Sequence, residues 1–270
     1  MIVRAPATSA NLGPAFDTVA VALDLWNELE VGDGTGVTVE GEGAGELPED
    51  ETNLAVRAYA LIADPAGKRF SFRNAIPLER GLGSSAAAIA LGLAAARPNG
   101  DAEELLAAGL ELEGHADNLA AALAGGVTIT WDGRVERLAG SLPLAPVALV
   151  PRERTSTAAS RRSLPSSVPH ADAAANAGLA ALLAAGIASG DASLFAAGLD
   201  DRLHEPYRAS AALESIRSDL PPGARGATLS GSGPTVIAWA DDATACAEEL
   251  RRRFPDHDVL ALRVSGKGAL

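Results

Sequence analysis

A glycine-serine turn that runs directly into an alanine-rich segment constrains this chain more than any other feature. Residues 81–88 read Gly-Leu-Gly-Ser-Ser-Ala-Ala-Ala, and the run of small and apolar residues continues to Ala96. Glycines let the backbone approach an anion closely, and the free N–H groups at the start of a helix stabilise its charge. The hydroxyls of Ser84 and Ser85 could cap the start of a helix, and they could also contact phosphate or a magnesium ion. The pattern predicts a phosphate cradle; the alternative is a loop that only caps a buried helix.

The common nucleotide-binding signatures are absent from the sequence. Its two lysines, Lys68 and Lys267, each follow a glycine, but neither completes a P-loop of the form G-x-x-x-x-G-K-[ST]. The catalytic-loop and metal-binding motifs of protein kinases are missing as well. Phosphate would therefore be held mainly by backbone amides, hydroxyls, arginine and a metal ion.

Composition excludes several other classes of protein. The 270 residues are 47% hydrophobic, enough for one large or two fused globular domains, and the net charge of −13 disfavours binding to nucleic acid. The single cysteine, Cys246, fits a reducing compartment. The apolar run at residues 86–96 is too short to span a bilayer, and the N-terminus lacks the features of a signal peptide. We expect a cytoplasmic protein with no nucleic-acid or membrane partner.

Hydrophobic periodicity switches between 2 and 3.6 along the chain, which predicts an α+β fold. Strands are predicted at residues 21–31, 37–39, 127–131, 147–150, 227–230, 235–240 and 259–264. Helices are predicted after Thr52 and at residues 101–113, 171–188, 191–203, 210–220 and 243–254. The acidic, glycine-rich residues 32–50 predict a surface hairpin. The β-β-α-β ending after a helical block predicts a second α+β layer, with a boundary near residues 140–155.

Two further glycine-containing loops accompany the first. Residues 6–17 are predicted to form a loop because Pro6 and Pro14 break regular structure and Asn-Leu-Gly favours a turn. Residues 230–234, Ser-Gly-Ser-Gly-Pro, lie between two predicted strands and are richer in glycine than a simple hairpin needs.

Together and in this order, the three loops resemble the GHMP kinases, small-molecule kinases named after their galactose, homoserine, mevalonate and phosphomevalonate members. The first resembles P-x-S/T-x-A-N-x-G-x-G-F-D, although Ala15 replaces the second glycine; the second resembles P-x-x-x-G-L-G-S-S-A-A from Pro77, and the third L-S-G-S-G-P-T from Leu229. The resemblance implies a two-domain fold. An N-terminal nucleotide-binding domain, similar to ribosomal protein S5 domain 2, would occupy residues 1–145, and a ferredoxin-like domain residues 146–270.

Three shorter segments resemble motifs of the family members that phosphorylate L-homoserine. Residues 111–118 resemble E-x-E-G-H-x-D-N, residues 156–161 resemble S-T-A-x-x-R, and residues 204–208 resemble H-x-P-x-R. The resemblance covers nearly the whole chain and implies an ATP- and Mg²⁺-dependent enzyme of threonine biosynthesis, commonly a homodimer. A family kinase of another small alcohol, or a non-catalytic nucleotide-binding module on the same fold, are the alternatives.

The resemblance also implies a nucleotide and metal site. The triphosphate would be wrapped by the loop residues Pro77, Leu78, Glu79, Arg80, Gly81, Leu82, Gly83, Ser84, Ser85, Ala86 and Ala87. Asn53 would lie near the adenine, and Ser85 with Glu111 would bind Mg²⁺. Glu113 is the alternative ligand, and both carboxylates would simply be exposed if this helix faces solvent.

The implied substrate site suits a zwitterion that carries a hydroxyl. Its candidates are Asn11, Asp17, His115, Asn118, Thr157, Arg161, Arg208 and Gly231. Arg161 and Arg208 offer bidentate guanidinium groups for a carboxylate, and Asp17 an acceptor for an ammonium. Asn118 would hold the reacting hydroxyl. Asp117 is a candidate for the catalytic base, although the homoserine-phosphorylating members of the family are thought to work without a base. His115 could equally be a helix-start residue, and either arginine a solvated surface residue.

Overall fold

The chain forms two β-sheets in succession, and the computed structural model describes every residue from 1 to 270. The strands are β1 (Ile2–Ala10), β2 (Val19–Asp33), β3 (Val37–Gly41), β4 (Lys68–Asn74), β5 (Val127–Trp131), β6 (Arg134–Ala139), β7 (Ala145–Val150), β8 (Ala224–Leu229), β9 (Val236–Ala240) and β10 (Asp258–Ala261). The helices are α1 (Leu54–Ala60), α2 (Ser84–Ala96), α3 (Ala102–Gly109), α4 (Ala116–Ala124), α5 (Thr157–Arg162), α6 (His170–Ser189), α7 (Ala192–Ala197), α8 (Ala211–Ser218) and α9 (Ala243–Arg253).

The long strand β2 organises the first sheet. It pairs antiparallel with β1 along one edge and with β4 and β5 along the other, while β3 adds to β4 and β6 to β5. Helix α2 is apolar almost all round and packs against β1, α1 and α4. Such a helix is stable only when it is buried. We call residues 77–87, which are predicted to wrap a triphosphate, the phosphate loop. Because this loop leads into α2, it is anchored in the core of the first half.

The second sheet has the order β10-β7-β9-β8, and every neighbouring pair is antiparallel. Helices α5 to α8 lie between β7 and β8 in sequence, and α9 connects β9 to β10. This is the ferredoxin-like arrangement that the resemblance implies. Cys246 on α9 is fully buried in the smaller hydrophobic cluster beneath the sheet, as expected for a core cysteine.

One hydrophobic cluster joins the two halves. It contains 43 buried residues, and Leu183, Phe195 and Trp239 from the second half belong to it together with residues of β1, β2 and α2. The Phe195 and Trp239 rings meet edge to face, with 5.3 Å between their centroids. The division predicted between residues 145 and 146 falls at the first residue of β7, and it stays a prediction because both halves share this core.

The C-terminal segment returns to the first sheet. The N–H of Ser265 donates to the carbonyl of Ala22 over 2.8 Å, and the N–H of Ala269 donates to Ala122 over 2.8 Å. Residues 263–270 thus pack on the first half although they follow the last strand of the second.

Several predicted elements differ in the structure. The loop predicted at residues 6–17 is shorter, because β1 continues to Ala10. Pro6 is tolerated in it since β1 pairs only with β2 and the register shifts at this residue. The hairpin predicted at residues 32–50 is wrong, because β3 pairs in parallel with the unpredicted strand β4. The first helix is capped by Asn53 rather than Thr52.

Helix α6 is long and apolar enough to cross a membrane by length and composition alone. Its Asn176, Leu183 and Ile187 are buried against the protein, whereas the opposite face, which includes Leu182, is exposed. Because the core helices of other folds pass the same test, this is weak evidence for a membrane span.

Replacing Phe195 by alanine should destabilise the protein by about 3–5 kcal/mol, because it removes a fully buried ring that joins the helical block to β9. Urea unfolding curves would measure the loss. Leu220→Ala is the matched control, since Leu220 is 40% exposed and its truncation should change stability by about 0.5 kcal/mol or less. Equal effects of the two substitutions would contradict the placement of Phe195 in the core.

Candidate active site

A cleft of about 370 Å³ opens where the three glycine loops meet the first turns of α2 and α4. Of the predicted site residues, it is lined by Asn11, Asp17, Glu79, Arg80, Gly81, Leu82, Gly83, Ser84, Ser85, Ala86, His115, Asp117, Asn118, Thr157, Arg161, Arg208 and Gly231. Five predicted residues do not line it: Asn53, Pro77, Leu78, Ala87 and Glu111. The structure thus brings most of the predicted site together from segments far apart in sequence.

The phosphate loop needs glycine at two positions. Gly83 has φ +68°, and a Cβ on it would lie 1.9 Å from the Thr8 hydroxyl oxygen. Gly81 has φ +78°, and a Cβ there would lie 2.4 Å from the carbonyl oxygen of Ser230. Helix α2 starts immediately afterwards, and no side chain caps its first turn. Its N–H groups, which have no intrahelical partners, are left for an anion.

The third loop supports the phosphate loop from behind. The Ser230 hydroxyl donates to the carbonyl of Gly81 over 2.6 Å, and the N–H of Thr235 donates to the carbonyl of Arg80. The N–H of Gly231 also donates to the carbonyl of Ala10 over 3.1 Å, at the end of β1. These hydrogen bonds hold the three loops in fixed positions relative to one another.

Arginines and an aromatic ring form the other wall of the cleft. The Arg161 guanidinium pairs with the Asp17 carboxylate at 2.5 Å. The guanidinium groups of Arg161 and Arg208 each lie 5.4 Å from the centre of the Phe16 ring, within range of a cation–π interaction. Asn11 is occupied structurally, because its amide donates to Gly231 and its oxygen accepts from the backbone of Asp17.

Asp117 and Asn118 lie side by side at the start of α4. Burial raises the pKa of Asp117 to about 6, and the nearby charge of Asp17 adds to that rise, opposed by a hydrogen bond from the N–H of Asn118. The Asn118 side-chain oxygen accepts from the Thr8 hydroxyl over 2.6 Å. The Asn118 amide donates one N–H to the Asp117 carboxylate over 3.4 Å, which leaves the other N–H as a donor at the cleft.

The structure distinguishes the two glutamates. The predicted helix ends at Gly109, and a turn follows at residues 110–112. Glu111 is exposed outside the cleft, whereas Glu113 lines it and lies 3.4 Å from the Nδ1 atom of His115. The predicted ligand Glu111 therefore does not face the cleft, and which of the two glutamates binds Mg²⁺ stays a prediction.

Acidic and histidine side chains do not by themselves form a metal site, since no three of them cluster. The oxygen donors that line the cleft include the Ser84 and Ser85 hydroxyls and the Glu113 carboxylate. Mg²⁺ prefers one or two carboxylates completed by phosphate oxygens and water. The residues present therefore fit a magnesium ion carried in with a nucleotide.

Asn53 has a structural role as the N-cap of α1. Its oxygen accepts from the N–H of Ala55 at the start of α1, and its amide donates to the carbonyl of Pro48 over 2.9 Å. The neighbouring Leu54, rather than Asn53, lines the cleft. The placement of Asn53 near an adenine stays a prediction.

Sequence reasoning missed three residues that shape the site. Thr8 holds Asn118, Phe16 lies against both arginines, and His204 contacts Arg208. Thr8 and Phe16 lie in the first loop motif, so the motif marked them without giving them a role. His204 begins the segment that resembles H-x-P-x-R, so this motif marked it as well without giving it a role.

Comparison with known proteins places this site in a family. The model of the GHMP kinases N terminal domain matches residues 53–126, and that of the GHMP kinases C terminal domain matches residues 179–256. The chain is 42% identical to a homoserine kinase of Streptomyces avermitilis, over 90% of this chain and 86% of that protein. It is also 42% identical to a homoserine kinase of Clavibacter michiganensis subsp. michiganensis, over 99% and 92% of the two chains.

Solved structures agree with these matches. The homoserine kinase from Cytophaga hutchinsonii superposes with a TM-score of 0.83 at 26% identity, covering 98% of this chain and 96% of that one. The Methanococcus jannaschii mevalonate kinase superposes with a TM-score of 0.69 at 15% identity, covering 98% of both chains, which is a likeness of fold alone. The predicted two-domain fold is confirmed, and the chain belongs to the GHMP kinase family.

Proposed function

We propose that this protein transfers the γ-phosphate of ATP to the side-chain hydroxyl of L-homoserine, giving O-phospho-L-homoserine for threonine biosynthesis. The observation that carries the proposal is a single cleft with two unlike ends. One end is the uncapped start of α2 behind Gly83, suited to phosphate. The other presents the Asp17–Arg161 pair and Arg208, suited to a small zwitterion. The homoserine kinases to which the chain is similar agree with this assignment.

The ion pair between Asp17 and Arg161 matches the charges of an amino acid. An ammonium group would compete for the Asp17 carboxylate, and a carboxylate for Arg161 and Arg208. Both side chains of the pair are about one-third exposed, so the substrate can reach them. When substrate binds, the Asp17–Arg161 contact is replaced by two charge-assisted contacts, one from the ammonium to Asp17 and one from the arginines to the carboxylate. These two contacts compensate for separating Asp17 from Arg161.

The reaction forms a bond between the homoserine oxygen and the γ-phosphorus, and breaks the bond from that phosphorus to the bridging oxygen of ADP. We propose that Asn118 orients the hydroxyl with its remaining amide N–H and that Asp117 accepts the hydroxyl proton. A carboxylate with a pKa of about 6 is ionised at neutral pH, yet is basic enough to take a proton in the transition state. Ser85 and Glu113 would hold Mg²⁺, which when bound neutralises charge on the phosphates.

The direct test is turnover of the purified protein with ATP and Mg²⁺. We expect ADP to form with L-homoserine and not with mevalonate or galactose, and the product to carry phosphate on the side-chain oxygen. If ADP forms faster with another alcohol than with homoserine, that alcohol would replace homoserine as the proposed substrate. Tight nucleotide binding without turnover on any alcohol would indicate a non-catalytic module.

We further propose a homodimer and a cytoplasmic location. Apart from His170 and Asp172 in its first turn, α6 carries no acidic or basic side chain, and its outer face is apolar and exposed around Leu182. Two chains that each carry a charge of −13 repel least where neither presents a charge. Light scattering should give twice the mass of the chain, and the mass of one chain would contradict this assembly.

Gly83→Val should lower ATP affinity by about 100-fold or more, because the new side chain would overlap the Thr8 hydroxyl and deform the cradle. Calorimetric titration with ATP measures the loss. Gly67→Val is the matched control, since Gly67 has φ +72° but nothing within 4 Å of a Cβ. If both folded variants bind ATP like the wild type, the start of α2 is not the phosphate site.

Glu113→Gln should lower turnover by about 100-fold and raise the Mg²⁺ concentration needed for half-maximal rate, with a smaller change in ATP affinity. Glu111→Gln carries the same chemical change on an exposed side chain outside the cleft and should behave like the wild type. Steady-state rates at several Mg²⁺ concentrations compare the two. A large loss in the Glu111 variant alone would restore Glu111 as the ligand.

Asp117→Asn should lower activity but raise stability at alkaline pH. Because burial raises the pKa of Asp117, the native state binds its proton more tightly than the unfolded state does. The contribution to stability therefore falls as the pH rises from about 4 to about 6, and above this window the buried charge costs up to about 3 kcal/mol. The variant should be more stable than the wild type at pH 8 but not at pH 4, in urea unfolding at both values.

The same variant should lose at least about 100-fold in turnover, and the wild-type rate should fall as the pH drops through about 6. A wild-type rate without this acid limb, together with near-normal turnover of the variant, would show that alignment of the hydroxyl is sufficient without a base.

A further inference from the structure

His204 has two ring nitrogens with different hydrogen-bond partners. The side chain is fully buried, with Nε2 lying 2.9 Å from the carbonyl oxygen of Gly13 and Nδ1 2.9 Å from Nη1 of Arg208. A carbonyl oxygen only accepts and a guanidinium only donates. Nε2 must therefore carry the proton and Nδ1 must accept, which defines a neutral ring in one tautomer.

The surroundings keep this ring uncharged. Desolvation is the main cause that lowers its pKa to about 4, and the neighbouring charge of Arg208 acts in the same direction. The Asp201 carboxylate, 3.7 Å from Nε2, and the more distant Asp17 oppose the shift without reversing it. The Phe16 ring is stacked on His204 with 5.2 Å between centroids. His204 is therefore a neutral acceptor for Arg208 throughout the neutral pH range.

This contact determines which edge of Arg208 is free. Nη1 uses both of its hydrogens, one on His204 and one on the carbonyl of Gly231 at 2.9 Å. Arg208 is only 7% exposed, and its Nε–H is buried without any partner. Nε and Nη2 form one edge of the guanidinium plane, which is an edge that binds a carboxylate through two parallel hydrogen bonds. A buried donor without a partner is costly unless a ligand completes it.

We infer that His204 is a positioning residue for substrate binding: by accepting from Nη1, it holds Arg208 with its Nε–Nη2 edge available to the substrate carboxylate. The inference rests on the proposed function, because it takes a carboxylate-bearing substrate as given. His204 itself touches no substrate. Its effect should appear in carboxylate recognition and not in the chemical step.

Two variants that each retain one of the two hydrogen bonds test this role. In His204→Asn, the side-chain oxygen can occupy the Nδ1 position and still accept from Arg208. In His204→Gln, the longer amide can still donate to Gly13 but no longer accepts at the Nδ1 position. Because both variants lose ring volume and the contact with Phe16, loss of packing should affect them alike.

We expect His204→Gln to raise the KM for homoserine by about tenfold or more, with the KM for ATP unchanged and kcat altered less. Its preference for homoserine over homoserine amide, which lacks the carboxylate charge, should fall by a similar factor. His204→Asn should keep KM within about threefold of the wild type. Equal KM values in the two variants, or a loss confined to kcat, would overturn the inference.

A measurement on the wild type does not depend on activity or on either variant folding. Nitrogen NMR of the ¹⁵N-histidine-labelled protein should show His204 with a protonated Nε2 and an unprotonated Nδ1, unchanged between about pH 6 and about pH 8. The opposite tautomer, or titration within that range, would also overturn the inference. If the wild type does not phosphorylate homoserine at all, the proposed function fails instead, and the tautomer result still stands on its own.

Discussion

The carbonyl group of Gly231 is the point on which the arrangement of the cleft depends. It accepts from the Asn11 amide and from the Arg208 guanidinium, both at 2.9 Å, while the N–H of the same residue donates to the end of β1. One residue in a glycine loop thus joins the first loop, the third loop and Arg208. Gly231 has φ +56°, a conformation that glycine adopts without strain. The positions of chemically active side chains are therefore determined largely by backbone groups.

The charge distribution of the cleft explains why backbone groups dominate. Arg80 lies within the phosphate loop, yet its guanidinium donates to the carbonyls of Pro151 and Arg152 and so holds the loop against the second half. Arg161 is paired with Asp17. The cations near the phosphate site thus have structural partners, and the N–H groups at the start of α2 remain as the main source of positive potential. A chain with two lysines would bind a triphosphate in this way without a P-loop.

The phosphate loop could be predicted from sequence because its chemistry is local: the glycines, the serines and the helix they start are consecutive residues. The four strands of the second half could be predicted because changes in hydrophobic periodicity mark them, whereas their ferredoxin-like topology was implied only by the family resemblance. The pairing of β3 with β4 could not, since parallel pairing is specified by packing and not by a turn. The position of Glu113 at the cleft could not be predicted, because the predicted helix extended four residues beyond its end at Gly109. The contact of His204 with Gly13 spans 191 positions, and no local pattern indicates it.

The return of residues 263–270 to the first sheet has a consequence for the order of folding. The backbone of β2 at Ala22 and of α4 at Ala122 completes its hydrogen bonds only with Ser265 and Ala269. During synthesis, the first sheet therefore waits with part of its backbone unpaired while more than a hundred residues of the second half are made. An unpaired carbonyl group in a strand can accept a hydrogen bond from another chain. The Ala22 and Ala122 carbonyls of a nascent chain are therefore open to such mispairing until residues 265–269 have been made.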